Sequence, residues 1–301
     1  MLLHYLHAMV NVSETKRKEY LATGTGLAVG MLPMAVQLKD ELTPVKPKDI
    51  PSLKSFMNII SPSVDTFENT MTVAEKILQE EGLAKKGVGI FVANNTPESV
   101  AGLDDLFKDM KPKKLVESTK NILRNGCNAC YCNNIKKAII SNEGGHSLIF
   151  HELGHAKHFN SKNIFMKALV HSREITQCGV SLFAPIALGI AMFHNTDKTK
   201  PKKDKSIKDK TLDFISNHAG KLTLATYAPL LLEEGLASVD GIKMAKKHLK
   251  PEQISKLKGQ YAKAWGTYAL VAIGISGAVG LASIVKNSIL NKKQPTETKQ
   301  A

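Results

Sequence analysis

Residues 137–159 read KAIISNEGGHSLIFHELGHAKHF, and everything else in the chain is interpreted outward from them. The apolar run Lys137 to Ser141 is of strand type. Asn142, Glu143, Gly144 and Gly145 then make a turn, and the pattern from about His146 to Phe159 is helical. Inside that helix His151, Glu152, Leu153, Gly154 and His155 spell H-E-x-x-H. Four residues is just over one helical turn, so both imidazoles project from one face and can grip a single metal ion, zinc by the nature of the pair. Glu152, about 100° round the helix from His151, is not a ligand but stands where it can take a proton from water at the metal. Gly154 in mid-helix costs roughly 1 kcal/mol against Ala, which implies that another backbone passes close by. His158 lies on the same stripe; near the helix C-terminus it reads as a surface residue that compensates the dipole.

Two imidazoles do not complete a catalytic zinc site, which takes three protein ligands and leaves a position for water. The metzincin spacing needs Gly at 158 and His at 161, and the chain has His158 and Ser161, which excludes that class. The strongest source of a third ligand is the run from Leu230 to Ser238, LLLEEGLAS. Glu233 and Glu234 directly follow an apolar run there, and two carboxylates so placed are costly unless a cation compensates them.

With these residues the chain resembles the gluzincin zinc metallopeptidases, especially the membrane-anchored group of the bacterial heat-shock protease and the CAAX prenyl-protein protease. In that group the H-E-x-x-H helix is separated by hydrophobic helices from an E-x-x-A-D type motif bearing the third ligand. Glu234 with Ala237 fits in register and Glu233 does not. Where the group has an aspartate that orients a zinc-bound histidine, this chain has Ser238, with Asp240 as the other substitute. The resemblance covers about residues 137–237. It implies His151, His155 and Glu234 as zinc ligands, Glu152 as general base, and hydrolysis of a protein or peptide substrate. In that role Lys137 to Ser141 is expected to be an edge strand that pairs an extended substrate, and His171, His218 and Tyr227 are alternative donors to the developing oxyanion.

Three uncharged stretches, Leu21 to Leu38, Ile175 to Thr196 and Ala264 to Val285, approach the roughly 20 residues that cross a bilayer. The last is the strongest, opening with Trp265 and Tyr268 and carrying Gly274 and Ala278 at small-xxx-small spacing. Phe214 to Leu232 is long enough but contains His218 and Lys221, so it reads as re-entrant or protein-facing, and as the return leg of a hairpin if Ile175 to Thr196 spans. Because both ligand helices must reach one metal, the chain between them crosses an even number of times or not at all. Multi-pass and singly anchored arrangements both satisfy that count.

The charge balance, 41 Lys plus Arg against 27 Asp plus Glu, gives +14. Only Arg17, Arg124 and Arg173 are arginines, and a lysine excess points to anionic lipid rather than to nucleic acid. Cys127, Cys130, Cys132 and Cys178 are too few and clustered for a disulfide framework, and the first three lack a fourth zinc ligand at suitable spacing. Helices are expected over Ser63 to Gln79, Pro97 to Met110 and Pro112 to Arg124, with strands at Gly87 to Ala93 and Ala129 to Asn133.

The expected architecture is therefore α+β: a mostly helical, zincin-like metallopeptidase core with a small sheet and several hydrophobic helices. An N-terminal segment with an anchor (1–38) precedes a catalytic domain (39–264) interrupted by a hydrophobic hairpin (175–232). A C-terminal transmembrane helix and basic tail (265–301) follow. The expected partners are a protein or peptide substrate and membrane lipid, with no nucleic acid. The competing readings are a soluble or peripheral zincin and a membrane scaffold that keeps the helix without catalysis.

Overall fold

A computed structural model describes residues 63–109, 113–126, 128–194 and 201–291. The stretch Leu21 to Leu38, Cys127 and the tail after Lys292 lie outside them. The described chain is mostly helical with one small sheet, an α+β architecture. In order it forms α1 (Phe67–Glu80), β1 (Gly89–Ala93), α2 (Pro97–Leu106), α3 (Lys113–Arg124), β2 (Cys130–Cys132), β3 (Lys137–Ser141) and α4 (Ile149–Phe159). Three long helices follow: α5 (Ile164–Phe193), α6 (Ile207–Ala245) and α7 (Pro251–Asn291). The chain divides into two units, and α5, α6 and α7 each contribute residues to both.

The unit that carries H-E-x-x-H is described over 63–109, 113–126, 128–175 and 229–269. Its sheet has the order β1-β3-β2, with β1 parallel and β2 antiparallel to β3. Strand β3 is therefore central, and the expectation that Lys137 to Ser141 forms an edge is corrected. The reason is tertiary: β1 pairs on one side and β2 on the other, and Ala138, Ile139 and Ile140, apolar on both faces, are all fully buried. Alternation sorts the two faces. Ala138 and Ile140 pack with Ile149, Phe150 and Leu153 of α4 and Ile77 of α1, while Ile139 packs with Leu103 of α2 and Leu123 of α3.

Local signals set the helix starts. The hydroxyls of Thr66 and Thr96 accept from the amides of Asn69 and Ser99, capping α1 and α2, and Pro97 occupies the first turn. A 3-10 turn at His146–Leu148 leads into α4. Tyr261 of α7 serves that junction: its hydroxyl accepts from the His151 amide at 3.0 Å and donates to the Ser147 carbonyl at 2.7 Å. An orphan donor of the first turn is thereby satisfied inside the core.

The second unit is described over 176–194, 201–228 and 270–291. Ala187, Leu188, Ala191, Met192, Ala219, Val279 and Ala282 form its core. Among the described residues one helix, Pro251–Lys286, is long and apolar enough to cross a membrane, and only 33% of its most apolar stretch is buried. Within the Ile175 to Thr196 stretch, Phe183–Phe193 is an apolar helical segment among the described residues.

Candidate metal centre

Helices α4 and α6 meet closely because glycine lies at both crossings. A Cβ on Gly154 would run into the Ala237 carbonyl oxygen, and one on Gly241 would run into the Phe150 carbonyl oxygen. The pairing is reciprocal, 150 with 241 and 154 with 237, so the helices run antiparallel with backbone against backbone. That contact is what the costly mid-helix Gly154 implied.

The crossing brings the two sequence motifs together. On α4, His151 and His155 are one turn apart. On α6, Glu234 and Ser238 are one turn apart and Glu233 and Ala237 occupy the adjoining stripe. His151 Nε2 lies 3.2 Å from Glu234 Oε2, His155 Nε2 lies 3.5 Å from the same oxygen, and the two Nε2 atoms are 2.9 Å apart. All three donor atoms fall within 4.8 Å of one another. Ligands around a tetrahedral zinc at about 2.0–2.1 Å are roughly 3.3 Å apart, and these separations straddle that value.

The outer nitrogens of both rings are engaged. His151 Nδ1 is 3.0 Å from Ser238 Oγ and His155 Nδ1 is 2.9 Å from Glu233 Oε1. When Nδ1–H is donated outward and Nε2 gives up its proton, the Nε2 lone pair is directed inward, the tautomer a metal ligand requires. The donor set therefore fits a divalent cation of zinc type. Of the two residues offered in place of the aspartate, Ser238 touches His151, and Asp240 instead meets His158, Oδ2 to Nε2, at 3.2 Å.

Glu233 is fully buried and is not among the three converging donors; its Oε1 bridges His155 and His158, 2.9 Å from each Nδ1. His158 is 2% exposed, so its expected surface role is corrected. Its place on the inward stripe of α4, facing a carboxylate on α6, outweighs its nearness to the helix end. Arg173 of α5 completes the network, with Nη2 2.6 Å from Glu234 Oε1 and Nε 3.1 Å from Glu233 Oε2. It was not singled out as a site residue from sequence. The available signal was a lone arginine at the edge of an apolar stretch in a chain whose excess charge is lysine.

Electrostatics follow from this packing. Burial opposes charge on Glu233, but the imidazoles of His155 and His158 and the Arg173 guanidinium outweigh it and hold the carboxyl down to about 2. Glu234 is held well below the usual range in the same way, by His151, His155 and Arg173 against burial. Burial disfavours the His155 imidazolium, yet hydrogen bonds to Glu233 and Glu234 raise it to about 10. A proton thus sits where a cation would, and metal binding must displace it. Glu152 is different. It is 5% exposed, makes no hydrogen bond or ion pair among the described residues, and burial pushes its carboxyl up.

His171 is exposed, 3.9 Å from Glu174. His218 and Tyr227 belong to the second unit.

Searches with family models, curated proteins and solved structures return no match to this chain.

Proposed function

We propose that the chain is a membrane-anchored zinc metallopeptidase of gluzincin type that hydrolyses peptide bonds in protein or peptide substrates. One observation carries this reading: two inward Nε2 atoms and one carboxylate oxygen converge, and a second carboxyl, Glu152, lies buried within electrostatic reach of both imidazoles, with no hydrogen bond or ion pair among the described residues. Zinc, when bound, supplies a Lewis acid for the scissile carbonyl and lowers the pKa of adjacent water toward about 7. His151, His155 and Glu234 hold it. Ser238 and Glu233 fix the two rings, and Arg173 occupies Glu234 Oε1, so that Oε2 alone faces the histidines. Glu152 accepts the proton of the attacking water and returns it to the leaving amine; a carboxyl raised by burial is suited to both halves of that transfer.

The anchor is the apolar part of α7. Leu270, Ile273, Leu281 and Ile284 are all exposed there, as side chains facing lipid would be. This reading takes a single crossing, because α7 alone among the described residues has the needed length and hydropathy.

The test uses the purified full-length protein. Wild type should hold one zinc per chain and hydrolyse casein. Glu152→Gln should keep the zinc and lose activity by about 10²-fold or more. Equal hydrolysis by the two proteins would remove the proposed base, and release of the chain from membranes by carbonate would remove the anchor.

A further inference from the structure

The second feature that functional chemistry can use lies on the sheet rather than at the helix crossing. Cys130 and Cys132 are two residues apart on β2 and so share one face of the strand. Their sulfurs are 3.8 Å apart, both thiols are free, and both side chains are partly exposed. β2 pairs with β3 on one side, and among the described residues its other edge has no strand partner. Cysteines that only fill a core are inert because they are enclosed and apart. These two pack beside the Ile139, Leu103 and Leu123 core, yet both stay partly exposed and touch each other.

We propose that Cys130 and Cys132 form a reversible dithiol–disulfide site, closed by exchange with a small-molecule disulfide. This inference does not rest on the proposed peptidase activity, although the Glu152 carboxylate is near enough to raise both thiols. The two thiols are inequivalent. The hydrogen bond between them lowers Cys132 and, together with burial, raises Cys130, so Cys132 is the attacking thiolate. Cys132 Sγ attacks one sulfur of the disulfide RSSR, breaking its S–S bond, forming a mixed disulfide and releasing RS⁻. Cys130 then loses its proton and attacks Cys132 Sγ, and the second RS⁻ departs. Two protein thiols are oxidised by two electrons, and RSSR is reduced to two RSH.

Closure has a structural consequence. Residues two apart on a strand have Cα atoms about 6.7 Å apart, at the upper limit for a disulfide, whose usual span is about 5.5–6 Å. Forming the bond must therefore shorten β2 against its register with β3, Cys130 to Ile139 and Cys132 to Lys137. Such a bond is readily reduced, which makes the site reversible. Tyr131, between the cysteines, projects to the other face. Its hydroxyl accepts from Asn160 Nδ2 at 3.2 Å and its ring lies 5.7 Å from that of Phe159. Shortening β2 thus pulls on the C-terminal end of α4.

The experiment treats the full-length chain carrying Cys127→Ser and Cys178→Ser with oxidised glutathione, then alkylates it and measures its intact mass. The expected product has lost two hydrogen masses, takes up no alkylating agent, and regains two alkylatable thiols after dithiothreitol. Cys130→Ser in the same background should stop at one stable glutathione adduct on Cys132. Two stable adducts, or two thiols that remain free, would overturn the proposal. Should the double-serine background not fold, tandem mass spectrometry of the oxidised wild-type chain locates the bond directly. A 130–132 linkage supports the proposal, and a linkage of either cysteine to Cys127 contradicts it.

Discussion

Both units bring helices together at glycine, but they place different chemistry at the contact. In the sheet-bearing unit, Gly154 and Gly241 let α4 and α6 touch, and what lines the contact is ionic: Glu233, Glu234, His155 and His158, all buried. In the second unit, Gly220 of α6 packs against the Ser276 carbonyl and Gly280 of α7, and what lines that contact is Ala187, Ala219, Val279 and Ala282. Close packing is thus a shared device with two uses. In one unit it holds charges that repay their desolvation only through one another or through a cation. In the other it joins small apolar residues and leaves larger ones, such as Leu281 and Ile284, facing outward.

The largest expected effect comes from breaking the charge network. Arg173→Leu leaves Glu233 and Glu234 without their guanidinium and should cost about 3–5 kcal/mol in denaturant unfolding, as loss of one partner of a buried ionic group does. Added zinc should recover part of that loss, since it returns positive charge to the same carboxylates. Next is the glycine pair. Gly154→Val forces α4 off α6 and should cost about 3 kcal/mol and abolish zinc binding. Gly220→Val should cost a similar amount while leaving zinc stoichiometry intact. Loss of zinc from both variants would erase the distinction between the units.

Smaller effects sharpen the account. Ser238→Ala frees the His151 ring and should weaken zinc about tenfold by competition with a chromophoric chelator, with little change in unfolding. Glu81 bonds Lys157 of α4 at 3.1 Å and Lys247 at 2.9 Å, and these hold its carboxyl below its usual value near 4.5. A depressed folded-state pKa contributes stability above that value and loses it as pH falls through the lowered one. Glu81→Gln should therefore cost less than about 1 kcal/mol at pH 7, and the difference from wild type should vanish in acid.

Much of the site is legible in the sequence because its parts are periodic. H-E-x-x-H fixes two imidazoles on one face, and the apolar run before Glu233 and Glu234 announces buried carboxylates. Gly154 reports a backbone neighbour before that neighbour is known. What single-chain reading misses are choices made by tertiary contact. His158 faces a carboxylate from another helix and so is interior despite its place near a helix end. Strand β3 is central because β1 returns to it from 48 residues upstream, Gly89 opposite Lys137, which a strand's own composition does not reveal. Arg173 and Tyr261 enter from α5 and α7, and neither lies in a recognisable motif. Register between α4 and α6 decides that Glu234 meets Nε2 of His151 and His155 while Glu233 meets Nδ1 of His155 and His158.

The central claim is that α4 and α6 together hold one divalent ion. Anomalous diffraction at the zinc edge from crystals of the full-length protein tests it most directly. The account predicts a single peak bounded by Nε2 of His151, Nε2 of His155 and Oε2 of Glu234, with Glu152 nearby and uncoordinated. A peak on Cys130 and Cys132 instead, or zinc-soaked crystals with no peak at the helix crossing, would contradict it.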